Sequence, residues 1–491
     1  MRHIKLLISI LVVLAAMAGL GLACSGPSDT APAEGAPANA APSDSSGVAL
    51  PPPAPTAEPA AGSAPSQSVE EAAGAGETVL ASAPPAGAAP TTAEAFYNRG
   101  VERANRGDYQ GAQDDFNQTL RLNPNLANAY ASRGYARANL KDARGAQDDF
   151  NQALQLDPAL PGAHAGRAYA RAALGDSQGA VEDFSLALTQ APDQADLYVG
   201  RGYARAKLGD FRGAVDDFNQ ALRRQPDQAD VYLARATARL SVPDVQGAAD
   251  DFSQALRLKP DLVDAYTGRA DARSRLGDRA GTIEDLTQAL RFKPDEVDLY
   301  VRRAYASAAA GDTRAALADF DQAIRLKPDQ GDLYAARGYA RANAGDARGA
   351  RDDFTQALRL KPDQADAYLG RGYADANVGD HRAAIQDFDQ AVRLNPALAD
   401  AYVGRAYARA NLGDQQAAIA DFGEALRLKP DRADVYMARG YARASLEDRQ
   451  GATEDFQRAA RLFETEGDSA RQQEAQEALR TIQTGGRSRR R

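Results

Sequence analysis

The chain has 491 residues, 25% of them charged, and a formal net charge of −9, which argues against a nucleic-acid-binding surface. A single cysteine, Cys24, excludes an intramolecular disulfide framework and a thiolate metal site. The three histidines, His3, His164 and His381, have no second histidine at ligand spacing and no nucleophile beside them.

At the start of the chain, Arg2 and Lys5 precede an uncharged run from Leu6 to Ala23. A basic segment followed by an apolar one is the pattern of a secretory signal, and it predicts a signal peptide over residues 1–23. The lone Cys24 directly after the run resembles the cleavage and lipidation site of bacterial lipoproteins, with Ala23 as the small residue before it. Gly21 departs from that pattern, which usually has an aliphatic residue there. The alternative is an uncleaved signal anchor, since about 18–20 apolar residues can just span a bilayer. Both readings place the remainder of the chain outside the cytoplasm. Acyl chains on Cys24 would anchor the protein to a membrane, each buried methylene contributing about 0.8 kcal/mol.

Residues 24–92 follow as Ala, Pro, Gly and Ser with hardly an aliphatic or aromatic side chain, and Pro51, Pro52 and Pro53 lie within them. Such a composition cannot bury a core and predicts a disordered tether. As a flexible coil its ends would lie roughly 45 Å apart.

From Ala93 onward a period governs the sequence. Pro124, Pro158, Pro192, Pro226, Pro260, Pro294, Pro328, Pro362, Pro396 and Pro430 recur every 34 residues. A fixed period of this size means one small unit copied and stacked. In the unit from Ala195 to Gln228, Asp196–Leu208 reads as one helix, Gly209-Asp210 as a break, and Phe211–Arg224 as a second helix. Glycine suits a helix end and the aspartate after it a helix start. Proline cannot continue a helix, so each period proline separates two units. Asp193 and Asp227, three residues before Asp196 and Asp230, are expected to cap the first helices. Ala214, Phe218, Ala221 and Leu222 follow the spacing of one buried helix face. Gly or Ala recurs at the Gly202 position, where it would let the two helices approach closely. Near the end, Ala475, Ala478, Leu479 and Ile482 fall on one face of a final helix. The expected organisation is an array over 93–466, a capping helix over 467–484 and a basic tail over 485–491.

Tyr198, Gly202, Ala214, Phe218, Ala221 and Pro226 resemble the signature of the tetratricopeptide repeat family. Arg201 and Arg205 depart from it, standing where the family has Leu and Tyr. The resemblance covers about three quarters of the chain and implies an all-α, right-handed superhelical solenoid. That solenoid would be built from about eleven antiparallel helix pairs and a C-terminal capping helix.

The arginine departure is systematic, and every second helix carries an aspartate before its Phe or Leu. Arg201 with Asp217, and Arg337 with Asp353, are therefore expected to form ion pairs that hold helix register; a charge ladder for a ligand is the competing reading. On the first helix, Tyr135, Tyr169, Tyr203, Tyr339, Tyr373 and Tyr407 share one position. Asn139, Asn343, Asn377 and Asn411 follow four residues after a tyrosine. Tyrosine offers contact area at low entropy cost, and asparagine can hydrogen-bond an extended peptide backbone. These pairs form a candidate binding groove, with packing between helices as the alternative role for the tyrosines. The family's co-chaperone members grip a terminal carboxylate with lysine near the helix start. Asp332, Asp366 and Asp400 stand there in this chain, which argues against that clamp and suggests an acidic groove edge that favours a basic partner. The middle of the array is uneven, with Thr237, Pro243, Asp271, Thr282 and Leu286 off the pattern.

No phosphate-binding glycine loop or nucleophile–base constellation is present in the sequence, and the expectation is a protein without catalytic residues, metal or cofactor. The expected partners are other proteins or extended peptides. The expected function is a membrane-anchored extracytoplasmic scaffold that serves envelope or secretion complexes. Capture of extracellular peptides or glycans, and a surface spacer, are the alternatives.

Overall fold

The computed structural model describes residues 91–485. The apolar segment, Cys24, the tether up to residue 90 and the tail from residue 486 lie outside them.

All 23 helices among the described residues are α-helices. Eleven antiparallel pairs are followed by one further helix. The chain divides into two compact units between Phe292 and Lys293. In the first unit the pairs are α1 (Ala93–Asn105) with α2 (Tyr109–Leu122), α3 (Ala127–Asn139) with α4 (Ala143–Leu156), and α5 (Ala163–Ala173) with α6 (Ser177–Gln190). They continue as α7 (Ala195–Lys207) with α8 (Phe211–Arg224), α9 (Ala229–Leu240) with α10 (Val245–Leu258), and α11 (Val263–Arg275) with α12 (Arg279–Phe292). The second unit holds α13 (Val297–Ala309) with α14 (Thr313–Leu326), α15 (Gly331–Asn343) with α16 (Ala347–Leu360), and α17 (Ala365–Asn377) with α18 (His381–Leu394). It closes with α19 (Ala399–Asn411) and α20 (Gln415–Leu428), α21 (Ala433–Ser445) and α22 (Arg449–Glu466), and finally α23 (Ser469–Gly485). Within each unit every pair packs against the next.

The turn inside each pair follows from two residues. Gly209 adopts φ 81°, the left-handed region glycine enters without a Cβ penalty, and Asp210 N–H then donates to the Arg205 carbonyl at 3.0 Å. The Asp210 carboxylate accepts from Gly213 N–H at 2.9 Å and caps α8. Aspartate makes the same cap in the other pairs, from Asp108 on α2 to Asp448 on α22. Lys141 and Glu447 hold the left-handed position without being glycine, at φ 67° and 63°.

The first helices start differently from the sequence expectation. Gln194, Gln228, Gln330 and Gln364 occupy their N-cap positions, and none makes a side-chain cap. Asp193 and Asp227 sit one residue too early for their carboxylates to reach the first-turn amides, and the Asp193 side chain is 98% exposed. Backbone carbonyls do part of the work instead, as where Gln228 accepts from Val231 and Tyr232 N–H, both at 3.1 Å. The period prolines contribute more than a helix stop: the Pro260 and Pro328 carbonyls accept from the Tyr266 and Tyr334 hydroxyls at 3.1 and 3.2 Å.

Each pair is built around one buried side chain of its second helix, a phenylalanine in ten of the eleven. Phe116, Phe150, Phe184, Phe218, Phe252, Phe320, Phe354, Phe388, Phe422 and Phe456 are fully buried, with Leu286 in the remaining pair. Phe218 lies over Gly202 so closely that an added Cβ would meet the ring at 2.7 Å. Alanine fills that position elsewhere, as at Ala236 and Ala304, so the ring yields by a small shift. The uneven middle keeps the same core: Leu286 and Thr282 are buried, and the Thr282 hydroxyl donates to the Asp278 carbonyl at 2.7 Å. At the far end α23 buries Ala475 and lays Ala478, Leu479 and Ile482 against Phe456 and Phe463. A polar helix thereby covers the apolar face that the last pair would otherwise expose.

Candidate interaction surface

Arginine organises each layer between the helices. In all eleven pairs the first-helix arginine grips the second-helix aspartate through Nη2 or Nε, with closest N–O distances from 2.5 to 2.7 Å. Arg337 is typical: Nε and Nη2 donate to the two oxygens of Asp353 at 2.9 and 2.6 Å. The aspartates are buried, so both lone-pair directions face guanidinium rather than water. The same arginine also reaches backward with Nη1, to the polar residue directly after the phenylalanine of the preceding pair. Arg133 reaches Asn117 at 2.8 Å, Arg235 reaches Asn219 at 2.7 Å, and Arg337 and Arg405 reach Asp321 and Asp389 at 2.6 and 2.7 Å. The first aromatic of the helix completes the cradle, with the guanidinium carbon of Arg337 5.7 Å from the centre of the Tyr334 ring. One arginine therefore joins two helices of its own pair and one of its neighbour. His164 replaces that aromatic once and sets Nδ1 3.3 Å from Asp183.

A second arginine, one turn later, was not assigned a role from the sequence. In nine pairs it forms an ion pair with the same aspartate at 2.8 to 3.0 Å. Arg205 also donates to the Gly213 carbonyl at 3.2 Å. Its four-residue spacing from Arg201 is the signal that places both guanidinia on one helix face. Ser307 and Asp375 replace it in the two remaining pairs.

The tyrosines and asparagines of the expected groove separate. Tyr135, Tyr169, Tyr203, Tyr339, Tyr373 and Tyr407 set their rings edge-on against the phenylalanine of their own pair, with centroids 4.8 to 5.3 Å apart. Four of their hydroxyls donate to a backbone carbonyl at the start of the next pair. Tyr135 reaches Gly162, Tyr169 Asp196, Tyr339 Asp366 and Tyr373 Asp400, at 2.6, 3.2, 2.6 and 2.9 Å. Burial pushes the hydroxyls of Tyr169, Tyr339, Tyr373 and Tyr407 well above the ordinary phenol range, so they stay protonated. These contacts match the alternative role of packing between helices: the Tyr135, Tyr169, Tyr339 and Tyr373 hydroxyls join one pair to the next, whereas the buried Tyr407 hydroxyl has no hydrogen-bond partner. Asn139, Asn343, Asn377 and Asn411 are exposed, and Asn139 turns its amide onto the Tyr135 carbonyl at 2.9 Å.

Two of the three aspartates of the expected acidic groove edge, Asp332 and Asp400, meet cations of the array, whereas Asp366 stays exposed. Asp332 pairs with Lys361 of its own pair and accepts from Gln364, and Asp230 pairs with Lys259 at 2.7 Å. Asp400 is buried between Lys429 at 3.4 Å and Arg432 at 2.8 Å, and Arg432 also holds Asp434 at 2.7 Å. Lys259, Lys361 and Lys429 each precede a period proline and pair with the acid, whereas Asn395 stands at that position in the pair of Asp366; beside these acids lie exposed amides and half-buried aliphatic and aromatic side chains. Among the described residues no group of three His, Cys, Asp or Glu side chains is placed to hold a metal ion.

Tetratricopeptide repeat family models match residues 93–126, 127–160, 199–263, 297–330, 335–397 and 374–433, together more than half of the chain. The chain belongs to the tetratricopeptide repeat family. As a member it is a scaffold for protein–protein interaction, and no catalytic domain is identified in it. Among solved structures, this tetratricopeptide repeat protein is similar to yeast Tom70, at 17% identity and TM-score 0.35, covering 81% of this chain and 96% of that one. It is also similar to the C-terminal part of a repeat protein from Cytophaga hutchinsonii, at 17% identity and TM-score 0.43, covering 48% of this chain and 96% of that one. YrrB, described as having an unusual peptide-binding site, aligns at 22% identity and TM-score 0.34, covering 38% of this chain and 95% of that one. No curated protein matches the chain.

Proposed function

We propose that this tetratricopeptide repeat protein is a membrane-anchored scaffold outside the cytoplasm that gathers envelope or secretion-system proteins along its first helices. The observation that carries the anchoring is the sequence Arg2, Lys5, an uncharged run to Ala23 and then the only cysteine, Cys24. The long Ala/Pro/Gly/Ser stretch after it supplies reach between membrane and array. The chemistry of the partner follows from the surface. Exposed asparagine amides beside aliphatic and tyrosine side chains suit an extended peptide with apolar residues, and internal lysine–aspartate pairs weaken the preference for a basic one.

Two measurements test this reading. Mass spectrometry of the mature N-terminal peptide should find acylated Cys24, and Cys24→Ser should move the protein from the membrane fraction to the soluble one. A cysteine without acyl chains and a variant that stays in the membrane would refute lipidation. Pull-down from solubilised envelopes should recover stable protein partners, lost when Asn343 and Asn377 are changed together to Ala. Recovery of peptides or glycans alone would point to ligand capture instead, and recovery of nothing to a spacer.

A further inference from the structure

We propose that the layer between α17 and α18 is an acid-tightened joint, in which the buried Asp375 and Asp387 repel each other at neutral pH and the repulsion is relieved when Asp375 takes up a proton. Asp375 occupies the site of the second arginine, which in nine sister pairs forms an ion pair with the buried aspartate of the second helix. Here that donor is replaced by an acceptor. Asp375 and Asp387 are each only 5% exposed, and two carboxylates then share a space that elsewhere holds one carboxylate and two guanidinia.

The surrounding charges compensate in part. From α17 itself, Arg371 is committed to Asp387, with Nε and Nη2 each at 2.7 Å. From the start of α18, Asp380 adds a third carboxylate while capping the helix through Ala383 N–H at 3.1 Å. His381 follows it, half-buried, with a buried Nδ1 that has no partner. From α16, Arg351 approaches Asp375 at 3.9 Å, too far for a hydrogen bond, from a position where the other pairs carry uncharged residues such as Val215 and Ile385. An arginine has thus appeared on the neighbouring helix where one was lost, but it stands 40% exposed and is screened by water.

Burial, and then the Asp387 charge, raise the Asp375 carboxyl from 3.8 to about 6. The sign follows from linkage. A carboxyl that holds its proton more tightly folded than unfolded stabilises the layer fully below about pH 4, and that stabilisation is lost as pH rises through about 6. A rise of about two pKa units corresponds to a change of up to about a hundredfold in the local opening constant.

The test is hydrogen exchange of the full chain from pH 4.5 to 7.5, corrected for intrinsic exchange rates. Protection of residues 365–394 should fall across this range relative to residues 399–428, whose pair keeps both arginines. Asp375→Asn should abolish the difference, and Asp375→Arg, which restores the sister-pair residue, should do so even if the asparagine variant folds poorly. His381→Gln removes the neighbouring imidazole and should leave the response intact. Equal pH dependence of the two pairs, a response that persists in the Asp375 variants, or one that vanishes with His381→Gln would overturn the proposal.

Discussion

Removing one arginine from a layer should cost far more than removing its neighbour one turn away. Arg337→Ala takes both hydrogen bonds of the bidentate grip from Asp353, the link to Asp321 and the stacking on Tyr334. Asp353 has a side chain only 4% exposed and would be left with the single Arg341 bond at 2.9 Å. Leaving a buried carboxylate so poorly paired costs about 3–5 kcal/mol. Arg341→Ala removes that single bond and a long one to the Gly349 carbonyl at 3.3 Å, while Asp353 keeps its bidentate partner. One charge-assisted hydrogen bond contributes about 1.5–3 kcal/mol, and Arg341 is partly exposed, so its loss should cost about 1.5. The chain contains its own control. The first arginine is present in every pair, whereas the second is absent at Ser307 and Asp375. Global unfolding of a repeat array is not a two-state event, so the assay is local: hydrogen exchange of residues 331–360. A difference of about 2 kcal/mol predicts roughly thirtyfold faster opening in Arg337→Ala than in Arg341→Ala. Equal protection in the two variants would refute the reasoning, because the carboxylate would then be satisfied by either arginine alone.

Two further outcomes follow from local geometry. Lys141→Gly should stabilise its turn by about 1 kcal/mol, since Lys141 holds φ 67° where most sister pairs have glycine; slower hydrogen exchange across residues 127–156 checks it. Tyr339→Phe keeps the ring on Phe354 but deletes the 2.6 Å donation to the Asp366 carbonyl, and should destabilise the junction between the α15–α16 and α17–α18 pairs by about 1 kcal/mol. Exchange protection at the start of α17 reads this loss, and unchanged protection there would show that the carbonyl finds water instead.

The repeat was legible because its strongest constraints are local. Gly209 must enter the left-handed region, Asp210 must cap, and Phe218 must recur on one face, so each leaves a residue type at a fixed interval. The Arg–Asp pairs were legible for a related reason: a buried aspartate repeated eleven times demands a cation repeated at the same period. What the period could not reveal was which neighbour a polar side chain would choose. Tyrosine at the Tyr339 position reads equally as a groove contact or a packing residue, and the choice depends on the Asp366 carbonyl 27 residues away lying within reach of its hydroxyl. The charge of Asp332 likewise looked open until Lys361 closed on it. Asp375 is informative in the opposite sense. In sequence it is one substitution among many, and only the fold places it beside a second buried carboxylate. Sequence alone determined the unit, its boundaries and its core, because those rest on backbone conformation and helix periodicity. Tertiary structure decided which polar groups are spent inside the array and which remain for a partner, because that depends on how one pair lies against the next.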